Sequence, residues 1–231
     1  MMTSEIGRSN GNRLLAVLIA AALVAIVALS GSPVLAVLTT LLRLDSVEGT
    51  WYLIRAAGLV AYLLLWLSTV WGLAVASKIF DPVLHRAFTF NTHEWLSLLA
   101  IGFTALHVGA LLFDRYLPFS IVEVLVPFTA SYRPVWVGAG VVGMYLTLLV
   151  TVTFYLRRQI GQKTFRAIHL FSFAGYASVS VHSLFSGTDS SLLSAKLIYA
   201  TSALVVLCLT LWYVQTRRAA TRPHPTTTAR T

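Results

Sequence analysis

Residues 14–29 read LLAVLIAAALVAIVAL, a block without one charged side chain. Comparable apolar blocks follow at 51–76, 92–113, 134–156, 165–186 and 192–214, with the first extending over 14–30. At about 1.5 Å of rise per residue, each can cross a hydrocarbon layer of about 30 Å. Inside lipid the backbone has to satisfy its own hydrogen bonds, so such blocks form helices. Barrel strands would alternate apolar and polar residues instead of giving unbroken runs. The expected fold is an all-α integral membrane protein, a six-helix transmembrane bundle. The chain is 57% hydrophobic and only 11% charged, about half the charged fraction of a soluble domain.

The net charge of +9 invites a nucleic-acid reading, which its distribution excludes. Arg8 and Arg13 precede the first block, Lys78 and Arg86 follow the second, and Arg157, Arg158, Lys163 and Arg166 lie between the fourth and fifth. Arg217, Arg218, Arg222 and Arg230 follow the sixth. The alternate connections, 31–50, 114–133 and 187–191, balance their few arginines with Asp45, Glu48, Asp114, Glu123 and Asp189. By the positive-inside rule both termini are cytoplasmic, and the basic excess meets anionic lipid. The expected organisation is a cytoplasmic segment 1–13, a multi-pass domain 14–214 in the cell inner (plasma) membrane, and a disordered basic tail 215–231. The first block also has the features of a cleavable signal peptide, with Ala28-Leu29-Ser30 after the apolar stretch. Connection 114–133 contains LPFSIVEVLVPF, a candidate amphipathic piece on the outer surface. Cys208 reads as a small core residue, and no GxGxxG or GxxxxGK loop occurs.

Four of the six histidines fall in two blocks, in HEWLSLLAIGFTALH and HLFSFAGYASVSVH. His93 and His107 are fourteen residues apart, about 21 Å of helix and about 40° short of four turns, so they share a face. His169 and His182 are thirteen apart, about 140° short of four turns. That spacing calls for local overwinding, a kink (Gly175 being the candidate) or an oblique crossing. Both blocks run in the same direction across the membrane, so His93 is expected to meet His169 near the inner surface and His107 to meet His182 nearer the outer one. Two imidazoles facing each other across a helical bundle make a bis-histidine site for one haem b, with iron as the metal. Two such sites would stack through the membrane.

Ionisable groups inside lipid are costly and mark function. Proton relays and metal transporters also use histidines but usually add carboxylates, and no block interior holds Asp or Glu. Glu94 reads as part of a helix cap in NTHE. Gly58 and Gly72 repeat the fourteen-residue spacing in the second block, where close backbone approach would make room for cofactor, or for ordinary helix packing. Gly138, Gly140 and Gly143 read as packing. Arg55 is a candidate partner for an outer haem propionate and Arg166 for the inner ones, with snorkelling and inside-positive bias as the plainer readings. Trp51, Trp71, Trp95, Trp136 and Trp212 read as interfacial anchors. Ser178 and backbone carbonyls one turn upstream are candidate acceptors for the His182 ring. His85 and His224 have no matching partners and stay outside the ligand set.

At these residues the chain resembles the ferric reductase-like transmembrane domain family over about residues 51–215, on the two histidine segments and on SGTDS after His182. The family includes ferric-chelate reductases, the NADPH oxidase membrane core and the haem-binding subunit of bacterial methionine sulfoxide reductase. The resemblance implies that His93, His107, His169 and His182 are axial ligands of two b haems. It also implies electrons passing from a cytoplasmic flavin through the inner and then the outer haem to an acceptor outside: ferric chelate, dioxygen or a partner protein. The oxidases and ferric-chelate reductases append flavin- and NADPH-binding domains after the sixth span, where this chain carries only about 17 residues. A separate flavoprotein is therefore the expected donor, and the chain the membrane subunit of an oxidoreductase. The alternatives are a quinol-linked cytochrome b, a histidine-lined ion or metal transporter without haem, and a structural membrane anchor.

Overall fold

The structure, a computed structural model, describes residues 33–41 and 46–220. No strand occurs among them. The helices are α1 (Pro33–Leu41), α2 (Val47–Ala76), α3 (Arg86–Leu111), α4 (Ile121–Leu125), α5 (Pro134–Ile160), α6 (Gln162–His169), α7 (Phe171–Ser186) and α8 (Leu193–Ala220), with a 3₁₀ turn at Thr188–Ser191. The whole of the first expected block, 14–30, lies outside the described residues, as do 221–231 of the tail. Residues 215–220 continue α8 instead of beginning the tail.

Four helices, α2, α3, α5 and α8, are long and apolar enough to cross a membrane. Their outward faces carry Leu67, Leu99, Leu204, Leu207 and Leu211, each between 40% and 58% exposed, a cost in water that lipid removes. Local chemistry sets the ends. Ser46 caps α2 by accepting from the Gly49 N–H at 3.0 Å. Pro134 opens α5 with its fixed φ, and Gly161, at φ 84°, closes it in a conformation that strains any L side chain.

The expected fifth block is not one helix. It breaks between His169 and Phe171, not at Gly175, which is buried inside α7. At the break the Leu170 N–H donates to Ala167 O at 3.3 Å and the Phe173 N–H to Leu170 O at 3.2 Å. These i→i+3 bonds turn the chain about 120° per residue instead of about 100°. Overwinding at this joint turns the second histidine in the required direction, supplying about 40° of the roughly 140° by which thirteen residues fall short of four turns.

Helix α2 packs along α3 and α5 along α7, while α8 leans mainly on α2. The centre holds Tyr62, 1% exposed, whose hydroxyl bonds Ser202 Oγ and lies 3.4 Å from the Tyr176 hydroxyl. Trp66 Nε1 donates to Ser202 O at 3.1 Å. These bonds join α8 to α2 and α7 where shape alone is weakly directional; each is worth about 0.6 kcal/mol in lipid. Cys208 is exposed on α8 and is not a core residue.

Candidate functional site

Helices α3 and α7 are not among the helix pairs in extensive backbone contact. Their histidines nevertheless face one another in two pairs. The His93 and His169 rings stand 6.1 Å apart centre to centre at 77°, and the His107 and His182 rings 6.3 Å apart at 76°. A metal holds an imidazole nitrogen at about 2.0 Å, so two rings gripping one ion from opposite sides stand about 6.4 Å centre to centre. Both pairs fit that spacing. Among the described residues no three His, Cys, Asp or Glu side chains gather in one place, so each level offers two ligands and not a closed cage.

Each ring except that of His169 rests on a glycine of the neighbouring helix. A Cβ on Gly58 would come within 2.9 Å of His107 Nδ1, one on Gly72 within 3.0 Å of His93 Cε1, and one on Gly140 within 2.6 Å of His182 Nδ1. Ordinary contacts between such atoms lie at about 3.5–4.0 Å. Gly58 and Gly72 thus make room for the imidazoles. The shared fourteen-residue spacing is the register of an antiparallel hairpin: moving from Gly58 to Gly72 along α2 matches moving back from His107 to His93 along α3. Gly140, expected to serve packing only, does for α7 what Gly58 does for α3. Its neighbour Gly143 does serve packing, against Val179. In this second hairpin, thirteen residues on from Gly140 stands Thr153, a buried residue and not a glycine.

The ring nitrogens repeat the pattern. His107 Nδ1 bonds Ile54 O at 2.8 Å and His182 Nδ1 bonds Trp136 O at 2.9 Å. Both carbonyls belong to the residue four positions before the supporting glycine. A carbonyl can only accept, so in each ring Nδ1 carries the proton and Nε2 keeps its lone pair, the tautomer a metal requires. Four before Gly72 is Ser68, whose Oγ lies 3.3 Å from His93 Nδ1 and 2.8 Å from Ser97 Oγ. The exception is again His169. Its Nδ1 is buried with no hydrogen-bond partner among the described residues, and the Phe165 ring lies 5.3 Å away.

Residues 49–189 match the family model of a domain of unknown function, DUF8596. The chain belongs to that family. No curated protein and no solved structure matches it. Both histidine pairs, the three supporting glycines and Asp189 all fall inside the DUF8596 segment.

In this DUF8596 domain the His107–His182 pair opens on a cavity of about 600 Å³, lined mainly by apolar side chains from α2, α3, α5, α7 and α8. A volume of this size suits a small-molecule ligand or cofactor, and the lining suits a largely apolar one. At its mouth Arg55 stacks over the Trp51 ring at 3.8 Å and forms an ion pair with Asp189 of the 3₁₀ turn. The expected propionate partner therefore already has a protein anion, and Trp51 belongs to the site as well as to the helix end. Connection 114–133 covers this level through Leu117, Phe119, Val124 and Tyr132. Its only helix is the five-residue α4, stapled by Glu123, whose carboxylate accepts from the backbone N–H and hydroxyl of both Ser120 and Ser131 at 2.8–2.9 Å. These donors hold the Glu123 carboxyl down at about 2.

Several expected roles move. Ser178 donates to Ala139 O at 2.8 Å and does not touch the His182 ring; the carbonyl that does lies on α5, not one turn upstream on its own helix. Helix α3 begins at Arg86 after His85, so NTHE is interior to it. Glu94 is buried and accepts from the Tyr155 hydroxyl at 2.9 Å, tying α3 to α5. Arg166 is exposed on α6, three residues before His169. The carbonyl acceptors carry no sequence signal, because every residue has one. Gly140 did carry a signal, its antiparallel register with His182.

Proposed function

We propose that this chain is a two-haem b electron conduit, the six-span membrane subunit of an oxidoreductase resembling the ferric reductase-like family. It passes electrons from a reduced flavin on a cytoplasmic partner protein through an inner level at His93–His169 and an outer level at His107–His182, to an acceptor on the outer side. The observation that carries the reading is the doubled geometry: two imidazole pairs on the same two helices, at 6.1 and 6.3 Å. The alignment of levels with sides of the membrane rests on charge. Lys78, Arg86, Arg157, Arg158, Lys163, Arg166, Arg217 and Arg218 lie on the helix ends nearest His93 and His169, the cytoplasmic end by the positive-inside rule.

The residues fit the group. Gly58, Gly72 and Gly140 let a ring edge come close to helix backbone, and Ile54 O and Trp136 O fix the ligand tautomer at the outer level. Helices α3 and α7 lack extensive backbone contact, and the paired imidazoles face each other between them. When bound there, haem b supplies one-electron chemistry between the ferric and ferrous states. Two imidazoles at each level would leave a bound iron no open coordination position, so His107 and His182 would hold the group without admitting an acceptor to the metal. Apolar walls exclude water, and the outer mouth presents Arg55 on its Trp51 platform.

The test is a pyridine haemochrome count on the purified full-length chain, with dithionite-reduced minus oxidised spectra. Two haems per chain are expected. The nearly perpendicular rings also predict a strongly anisotropic low-spin ferric signal in electron paramagnetic resonance. A colourless protein sinks the proposal.

A further inference from the structure

The SGTDS turn at 186–190 takes no part in ligation, yet it sits at the mouth of the outer cavity. Among the residues lining that cavity, Arg55 is the one lysine or arginine, and two carboxylates, Asp114 and Asp189, line it as well. Asp189 is bound to Arg55, and the stack on Trp51 fixes the guanidinium plane. The turn is itself held, with Ser190 Oγ donating to Gly187 O at 2.6 Å and the Leu192 N–H to Asp189 O at 2.9 Å. Asp114 is fixed by accepting from the Tyr116 and Leu117 N–H groups at 2.8 and 3.3 Å. A positive side chain that would otherwise attract anions is thus neutralised by a built carboxylate, and a second carboxylate leaves the lining net negative. Propionates of a bound haem would only add to that sign.

We infer that the outer mouth serves an uncharged or cationic electron acceptor in preference to an anionic ferric chelate, and that Asp189 is the residue setting this preference. The inference rests on the proposed two-haem conduit. Charge at a cleft mouth acts on encounter rate, and salt screens it. Asp189 acts through Arg55 and through the local field, so it is a positioning residue with two signatures. Removing its charge admits anions more easily. It also leaves Arg55 uncompensated, which stabilises the reduced outer haem and raises its midpoint potential.

The full-length haem-loaded chain, reduced with stoichiometric dithionite, is mixed at low ionic strength with hexaammineruthenium(III) or with ferric EDTA, a cation and an anion of similar potential. Hexaammineruthenium is expected to reoxidise the wild type faster. Asp189→Asn should narrow the rate ratio by roughly three- to tenfold, and high salt should collapse it. The outer midpoint should rise in Asp189→Asn and return towards wild type in the Arg55→Gln/Asp189→Asn double variant, with the inner midpoint unmoved. Asp114→Asn, whose amide oxygen keeps both backbone hydrogen bonds, provides a second variant that leaves the Arg55 pair intact and should narrow the ratio in the same direction. Faster reaction with ferric EDTA in the wild type overturns the inference. So does a ratio that neither variant changes, or an outer haem lost from Asp189→Asn while Asp114→Asn leaves the ratio unmoved. In each case a coloured two-haem protein leaves the conduit standing, whereas a colourless wild type removes both.

Discussion

The two histidine levels share their ring spacing and differ in nearly everything that holds the rings. At the outer level both imidazoles lie on glycines and both Nδ1 atoms bond main-chain carbonyls. At the inner level His93 has a glycine and a serine hydroxyl at 3.3 Å, while His169 has no supporting glycine and a buried Nδ1 without a hydrogen-bond partner among the described residues. The cause is local. His169 ends the short helix α6, at the overwound joint of Leu170, whereas His182 sits well inside α7. A ring deep in a regular helix keeps the hairpin register and finds its glycine. A ring at a joint gives up that register to reach its partner. With Nε2 given to a metal, the proton of His169 would sit on Nδ1, where a buried N–H without an acceptor costs about 1–3 kcal/mol, so the inner level is the less firmly braced of the two.

The largest contrast is expected from ligand removal. His93→Ala leaves only the unbraced His169 and should empty the inner level completely. His107→Ala leaves His182 held by Trp136 O and should retain a fraction of outer haem in a high-spin, five-coordinate form. Haem counts and optical spectra of the two variants decide it, and the reverse outcome would show that the hydrogen bonds to Nδ1 do not determine retention.

Adding a methyl group to the supporting surface comes next. In Gly140→Ala the Cβ sits 2.6 Å from His182 Nδ1, against 3.0 Å from His93 Cε1 in Gly72→Ala. The first ring has to move about 1 Å and the second about half as far to restore ordinary contact. Outer haem occupancy should fall sharply in Gly140→Ala, with a milder loss of inner haem in Gly72→Ala. Equal losses would break the comparison.

Ser68→Ala should have a smaller effect, confined to the inner level. Losing one neutral hydrogen bond costs about 1 kcal/mol, or roughly fivefold in an equilibrium. Transfer of inner haem to apomyoglobin should quicken by about that factor, with the outer haem unaffected; an outer haem that also leaves faster would mean that the two levels are not independent.

The smallest effect concerns the loop covering the outer level. Glu123 has a depressed carboxyl, so its contribution is complete above the ordinary 4.5 and is lost as pH falls through about 2. The loop should therefore stay stapled at pH 4. Carbon-13 titration of labelled glutamate should find one carboxyl with a midpoint near 2 that disappears in Glu123→Gln. A full set of midpoints near 4.5 would remove the staple.

Much of this was legible in the chain. Apolar blocks gave the long helices, because lipid-length runs have no other way to satisfy their backbones. The fourteen-residue histidine spacing pointed to a shared face of α3, and the thirteen-residue spacing to overwinding, a kink or an oblique crossing in the fifth block, without choosing among them. Gly175 was a reasonable candidate for the joint, but it is buried against α5, near Leu146 and Thr147, where helix packing holds it straight. Glu94 looked like a cap because its motif is local, and tertiary contact with Tyr155 gave it another use.

Residue order by itself determined the long apolar helices and the shared face of His93 and His107, since periodicity and hydropathy depend only on neighbours along the chain. The choice of the carbonyls of Ile54 and Trp136 as ring partners, the pairing of Arg55 with Asp189 and the bare Nδ1 of His169 were decided by the fold. Each depends on which backbone atoms of a separate helix come within hydrogen-bond reach, and every residue offers the same backbone atoms until packing selects among them.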